Sequence, residues 1–65
     1  MKYVITNNST GETKTANVFK YALAAAKMML EGEKISDDII SICDTDGNEY
    51  EAFMTDNGEF VVEEL

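Results

Sequence analysis

The hydrophobic period of this chain changes twice, and those changes limit it to one helix set among strands. Between Asn17 and Glu31 the residues Phe19, Ala22, Leu23, Ala26, Met29 and Leu30 recur at helical spacing, with Lys20, Ala24, Lys27 and Glu31 opposite. Asn17 or Thr15 is placed to cap the first N–H groups, and Gly32 suits a left-handed stop. Alanines at 22, 24, 25 and 26 would let this helix lie close to a sheet. On either side the pattern is that of strands. Lys2 to Thr6 alternates β-formers and runs into Asn7, Asn8, Thr10 and Gly11, a turn from which Glu12 to Ala16 would return as a second strand. Beyond Lys34 the strands are Ile39 to Asp44, Glu49 to Thr55 and Glu59 to Glu63, separated by Asp46-Gly47 and Asn57-Gly58. The predicted class is α+β, in the order β(β)αβββ. It comprises an amino-terminal strand or hairpin, one amphipathic helix, and a three-stranded antiparallel meander packed on that helix.

The turns also bear on register. Three-residue loops, with Gly58 or Asn48 in the left-handed position, place Met54 opposite Phe60, Ala52 opposite Val62 and Ile42 opposite Ala52. Ile40, Ile42, Tyr50, Ala52, Met54, Phe60 and Val62 then share the face under the helix. A two-residue loop would instead put Glu63 among these apolar residues, and burying a lone carboxylate is costly. The other face carries Ile39, Ser41, Cys43, Glu49, Glu51, Phe53, Glu59, Val61 and Glu63. Glu51 lies across from Glu63, and Phe53 pairs with Val61 between the acids.

With 65 residues the chain has room for one domain, residues 1–65. A domain of that size buries only about 60% of the surface its unfolded chain exposes. Its charge is unevenly placed. The five lysines end at Lys34, so the first 34 residues sum to +2, whereas the ten acids from Asp37 to Glu64 meet no cation and sum to −10. A local field of one sign opposes compaction but attracts cationic partners and speeds their approach.

Composition removes most catalytic chemistries. The chain has no His, Arg, Pro or Trp, hence no imidazole for a triad or zinc site and no guanidinium to clamp a phosphate. Cys43 is alone, which fits a reducing compartment, and Asp44 and Asp46 beside it oppose a thiolate. Paired carboxylates work as acid and base only in a pocket that separates their pKa values, and so short a chain has little room to build one. Asp44-Thr45-Asp46-Gly47-Asn48 opens like an EF-hand loop. The match then fails, with Glu49 at the sixth position, where that loop has Gly, and Thr55 at the twelfth, where it has Glu. The segment is read as a hairpin turn. No enzyme, cofactor or metal is expected. The start, MKYVITNNST, lacks a long apolar run and Tyr21 to Leu30 is too short to span a bilayer, so a cytoplasmic location and no membrane contact are expected. The sequons at Asn7 and Asn8 then have no role. Of Met1, Met28, Met29 and Met54, Met28 borders the helical stripe and is the one expected at the surface. Lys14, Lys20, Lys27 and Lys34 are too dispersed for direct nucleic-acid binding, and the acidic half would repel phosphates.

The expected function is a non-enzymatic, acidic protein-binding module, monomeric or homodimeric, that presents carboxylates to a basic protein surface. Its expected contact residues are Glu49, Glu51, Phe53, Glu59, Val61 and Glu63 with the turn acids Asp44, Asp46 and Asp56. In its narrowest form it is an inhibitor of phage or mobile-element type that mimics nucleic acid and occupies the basic groove of a nucleic-acid-binding protein. The alternative is a small structural or homo-oligomerising domain that buries Ile39, Phe53 and Val61 against a second copy and uses the acids for solubility.

Overall fold

A computed structural model describes residues 2–31 and 38–65. Five strands and one helix follow one another as β1 (Tyr3–Asn7), β2 (Thr13–Ala16), α1 (Phe19–Leu30), β3 (Ile40–Asp44), β4 (Glu49–Met54) and β5 (Phe60–Glu64). The class is α+β, but the carboxy-terminal meander is not a layer of its own. β1 pairs antiparallel with both β2 and β3, so the amino-terminal hairpin continues the meander into one five-stranded sheet of order β2-β1-β3-β4-β5. All its pairings are antiparallel. Among the described residues no helix is long and apolar enough to cross a membrane.

The helix covers one face. Ile5, Ile40, Ile42 and Ala52 from the sheet meet Ala22, Ala26 and Leu30 from α1 in a fully buried core, bordered by Tyr3, Leu23, Met29, Tyr50, Met54, Phe60 and Val62. Each large aliphatic side chain buried there contributes about 1.5 to 3 kcal/mol over its exposed state. The alanines at 22, 26 and 52 have no exposed surface at all. Small side chains at the contact let the helix backbone approach the sheet. At the helix start, Phe19 stacks tilted against Tyr3 of β1 and Tyr50 of β4, with ring centroids 5.4 and 5.0 Å away. Such pairs add about 0.5 to 1.5 kcal/mol beyond area burial.

Two local expectations need correction. The N-cap of α1 is Val18, with no side-chain cap bond, so neither Asn17 nor Thr15 caps the helix. Gly32, the expected stop, lies outside the described residues. The β3–β4 register also differs by two residues: Ala52 faces Ile40, and Ile42 faces Tyr50. Gly47, at φ +89°, takes the left-handed place rather than Asn48. A Cβ disfavours that conformation, so glycine takes it. A shift of two residues preserves side-chain parity, and the two faces keep their expected members.

Asn7 shows why the first turn forms. It is buried, 3% exposed, at the end of β1. Its Oδ1 accepts bonds from the N–H groups of Ser9 and Thr10 at 2.9 and 3.4 Å, while its Nδ2 donates to Asp38 Oδ2 at 3.2 Å. One side chain thus closes the β1–β2 turn and ties it to the approach to β3.

Candidate functional site

Among the described residues no element covers the sheet face turned away from α1, and its rows can be read across the strands. One row runs Thr13, Thr6, Ser41, Glu51, Glu63. The next row on this face, two residues along each strand, runs Thr15, Val4, Cys43, Glu49. On the other side, Phe53 pairs with Val61. Ile39, one residue before the Ile40–Ala52 pair, continues the β3–β4 register into that apolar row and is 42% exposed. The uncovered face therefore changes character along β4 and β5. Half-buried apolar residues stand at the end near the Asn57-Gly58 turn, and acids stand in the adjoining rows.

The register expected for β4 and β5 is the one observed. Met54 faces Phe60, Ala52 faces Val62, Phe53 faces Val61 and Glu51 faces Glu63. Thr55 and Glu59 close the ladder through the Thr55 N–H and the Glu59 carbonyl at 2.9 Å, leaving Asp56-Asn57-Gly58 as a three-residue loop with Gly58 at φ +81°. Glu49, Glu59 and Glu63 are exposed, whereas Glu51, Phe53 and Val61 are half-buried. Two carboxylates directly opposite on a sheet destabilise it, by an amount on the order of the 0.2 to 1 kcal/mol that good pairs contribute. Asp46 and Asp56 are exposed in their turns.

Asp44 stands apart from the other site residues. It pairs with Tyr3 on the helix side of the sheet. Its Oδ1 accepts bonds from the N–H groups of Asp46 and Asn48, both at 2.9 Å, and its Oδ2 accepts one from Asn48 Nδ2 at 3.0 Å. The Asn48 side-chain amide, helped by the turn's backbone N–H groups and opposed by burial, holds the Asp44 carboxyl below its ordinary value. These oxygens shape the turn. Cys43 is a free thiol, half-buried on the open face beside Val4.

The sequence reading did not single out Tyr21, which is 64% exposed on the outer side of α1, beside Met28 at 67%. The signal was present as an aromatic residue lying outside the apolar stripe. No family model matches the chain, and neither does any curated protein or solved structure.

Proposed function

We propose that this protein is a non-enzymatic acidic binding module whose open sheet face receives a basic surface of another protein. The observation that carries the reading is the direct apposition of Glu51 and Glu63 on the face that α1 leaves uncovered. The apposition costs an isolated domain stability, and a Lys or Arg placed between the two carboxylates removes that cost on binding. Phe53, Val61 and Ile39 supply an apolar centre beside the acids, and a desolvated anchor with a polar surround is the usual build of an interface hot spot. In the narrowest form of the proposal the carboxylates stand in for phosphates, and the partner is a nucleic-acid-binding protein whose groove they occupy.

The test uses immobilised wild-type protein and the double variant Glu51→Lys/Glu63→Lys, each shown to be folded by circular dichroism. The wild type should retain basic proteins at low salt and release them at high salt, since exposed charge pairing is screened within about 8 Å at physiological ionic strength. Displacement by duplex DNA would identify nucleic-acid-binding partners. Retention of the same proteins by the double variant would rule the proposal out. The rival reading, self-association through Ile39, Phe53 and Val61, requires Phe53→Asp to convert an oligomer to monomers. It is the weaker of the two, because stacking this face on a copy of itself would crowd Glu49, Glu51 and Glu63 against their own kind.

A further inference from the structure

We infer that β5 is a docking edge for one kind of partner: an extended, basic segment of another protein that adds to the sheet as a further strand. The inference rests on the reading above for the sign of the partner's charge, and goes beyond it in making backbone groups the contact. β5 ends the sheet order, and among the described residues no strand pairs with its outer side. Two bonds bracket its inner side: the Thr55 N–H donates to the Glu59 carbonyl and the Leu65 N–H to the Glu49 carbonyl, both at 2.9 Å. Bonding residues alternate along an antiparallel ladder, so Val61 and Glu63 bond inward, while the N–H and C=O groups of Phe60, Val62 and Glu64 point out of the sheet. Side chains alternate as well. Phe60 and Val62 lie on the helix side and Val61 on the open face, and all three are half-buried. α1 packs chiefly on β1 to β4, so the apolar middle of β5 keeps surface exposed on both faces.

The side chains along this edge select the occupant. A strand laid antiparallel to β5, as every pairing in the sheet is, meets Phe60, Val61 and Val62 at its middle, Glu59 at one end and Glu63 and Glu64 at the other. Apolar residues flanked by Lys or Arg match that order, since unlike charges directly opposite on a sheet attract and like charges repel. This is strand addition, in which main-chain bonds supply affinity and alternate side chains supply specificity. A second copy of the chain matches poorly. Of the antiparallel registers that join outward groups to outward groups, the one centred on Val62 sets Glu63 against Val61 and Glu64 against Phe60. Those displaced by two residues set Glu59 against Glu63, or Glu63 against itself. The same acids that turn away a copy of this chain admit a basic strand. The opposite edge is no competitor, for β2 is four residues long, exposed over its first three, and carries Lys14. Shortness and lysine both guard an edge.

An NMR titration of isotope-labelled protein at low salt with the end-capped peptide Lys-Lys-Val-Thr-Val-Lys tests the inference. Laid antiparallel, the peptide sets its third and fifth residues across from Val62 and Phe60 with their N–H groups turned to β5, and turns its second and fourth N–H groups away. It should bind with a Kd on the order of 100 μM and shift the amides of Phe60, Val62 and Glu64 most. N-methylation of the third and fifth residues should weaken binding at least about tenfold, whereas the isomer methylated at the second and fourth, of equal charge, should stay within about twofold. Glu63→Gln/Glu64→Gln should weaken binding several-fold, and Glu51→Gln, one strand in from the edge, by less than about twofold. No binding of the unmethylated peptide at about 1 mM would overturn the inference. So would a Glu63→Gln/Glu64→Gln variant that binds like the wild type. Equal binding of the two isomers, with shifts centred on Glu49 and Glu51, would overturn the edge and leave the open-face reading standing. A difference between the isomers upholds the edge whatever the open face retains.

Discussion

Glu51 of β4 and Glu63 of β5 are direct cross-strand neighbours on the open face of the sheet. Neither forms an ion pair among the described residues, where the one bridge found joins Lys27 and Glu31. The repulsion is local and can be relieved one residue at a time. Glu63→Lys should raise stability by about 0.5 kcal/mol, which is about 2 to 4 °C in melting temperature for a domain of this size. The gain should shrink in 1 M salt, where the Debye length is about 3 Å. Thermal unfolding at two salt concentrations measures both effects. An unchanged or lowered melting temperature would mean that the pair is not strained.

The fully buried alanines set the second expectation. Ala22 and Ala26 have no exposed surface and pack in the core with Ile5, Ile40, Ile42 and Ala52. Ala26→Leu must push the helix away from the sheet, at a cost of about 1 to 3 kcal/mol. A domain of 65 residues has only about 3 to 10 kcal/mol in total. Urea unfolding should therefore show a midpoint sharply lowered by Ala26→Leu. Ala24→Leu, on the exposed side of the same helix, should change it by less than about 0.5 kcal/mol.

The β3–β4 turn makes a pH-dependent contribution. Because the folded chain holds the Asp44 carboxyl below 3.8, the unfolded chain binds its proton first as pH falls. The stabilisation is complete above that unfolded value and is lost as pH drops through the lower folded one. Asp44→Ala should be less stable than the wild type at neutral pH, and the gap should narrow in acid. Urea midpoints collected between about pH 2 and pH 7 would reveal this convergence. A gap of constant size would contradict it.

Tyr50 gives the opposite sign. Burial, then the charges of Glu64 and Asp44 and the neighbouring Tyr3, raise its phenol above 10.0. The folded chain thus keeps this proton to a higher pH than the unfolded chain does. The contribution is complete below 10.0 and is lost as pH rises through the folded value. Titration of phenolate absorbance should show a component that lags in native protein, is absent from Tyr50→Phe and moves to lower pH in Glu64→Gln.

Much of this architecture is legible from local pattern. The helix follows from the spacing of Phe19, Ala22, Leu23, Ala26, Met29 and Leu30, and the Glu51–Glu63 apposition follows from Asn57-Gly58 and the cost of burying Glu63. What escapes the sequence has identifiable causes. Asp46-Gly47-Asn48 offers two residues that tolerate a left-handed backbone, and periodicity cannot choose between them. The missing Cβ of Gly47 decides, while Asn48 is spent on Asp44. The pairing of β1 with β3 joins segments more than thirty residues apart, and no turn chemistry links them. The Tyr3–Phe19–Tyr50 stack depends on that pairing and is equally invisible beforehand. Asn7 reads as an ordinary turn residue until its burial shows that the turn is built around it.

The last strand has a further consequence. Leu65 donates its N–H to the Glu49 carbonyl, so alternation along β5 turns the backbone groups of Phe60, Val62 and Glu64 outward from the end of the sheet. A bare strand edge of this kind is a template on which copies of a chain can stack into fibres, and inserted charge is a common guard against it. Glu63 and Glu64 stand at that edge. The charge at Glu63 thus acts in two directions: neutralising it should give a molecule that melts later and whose edge stacks more readily on other copies.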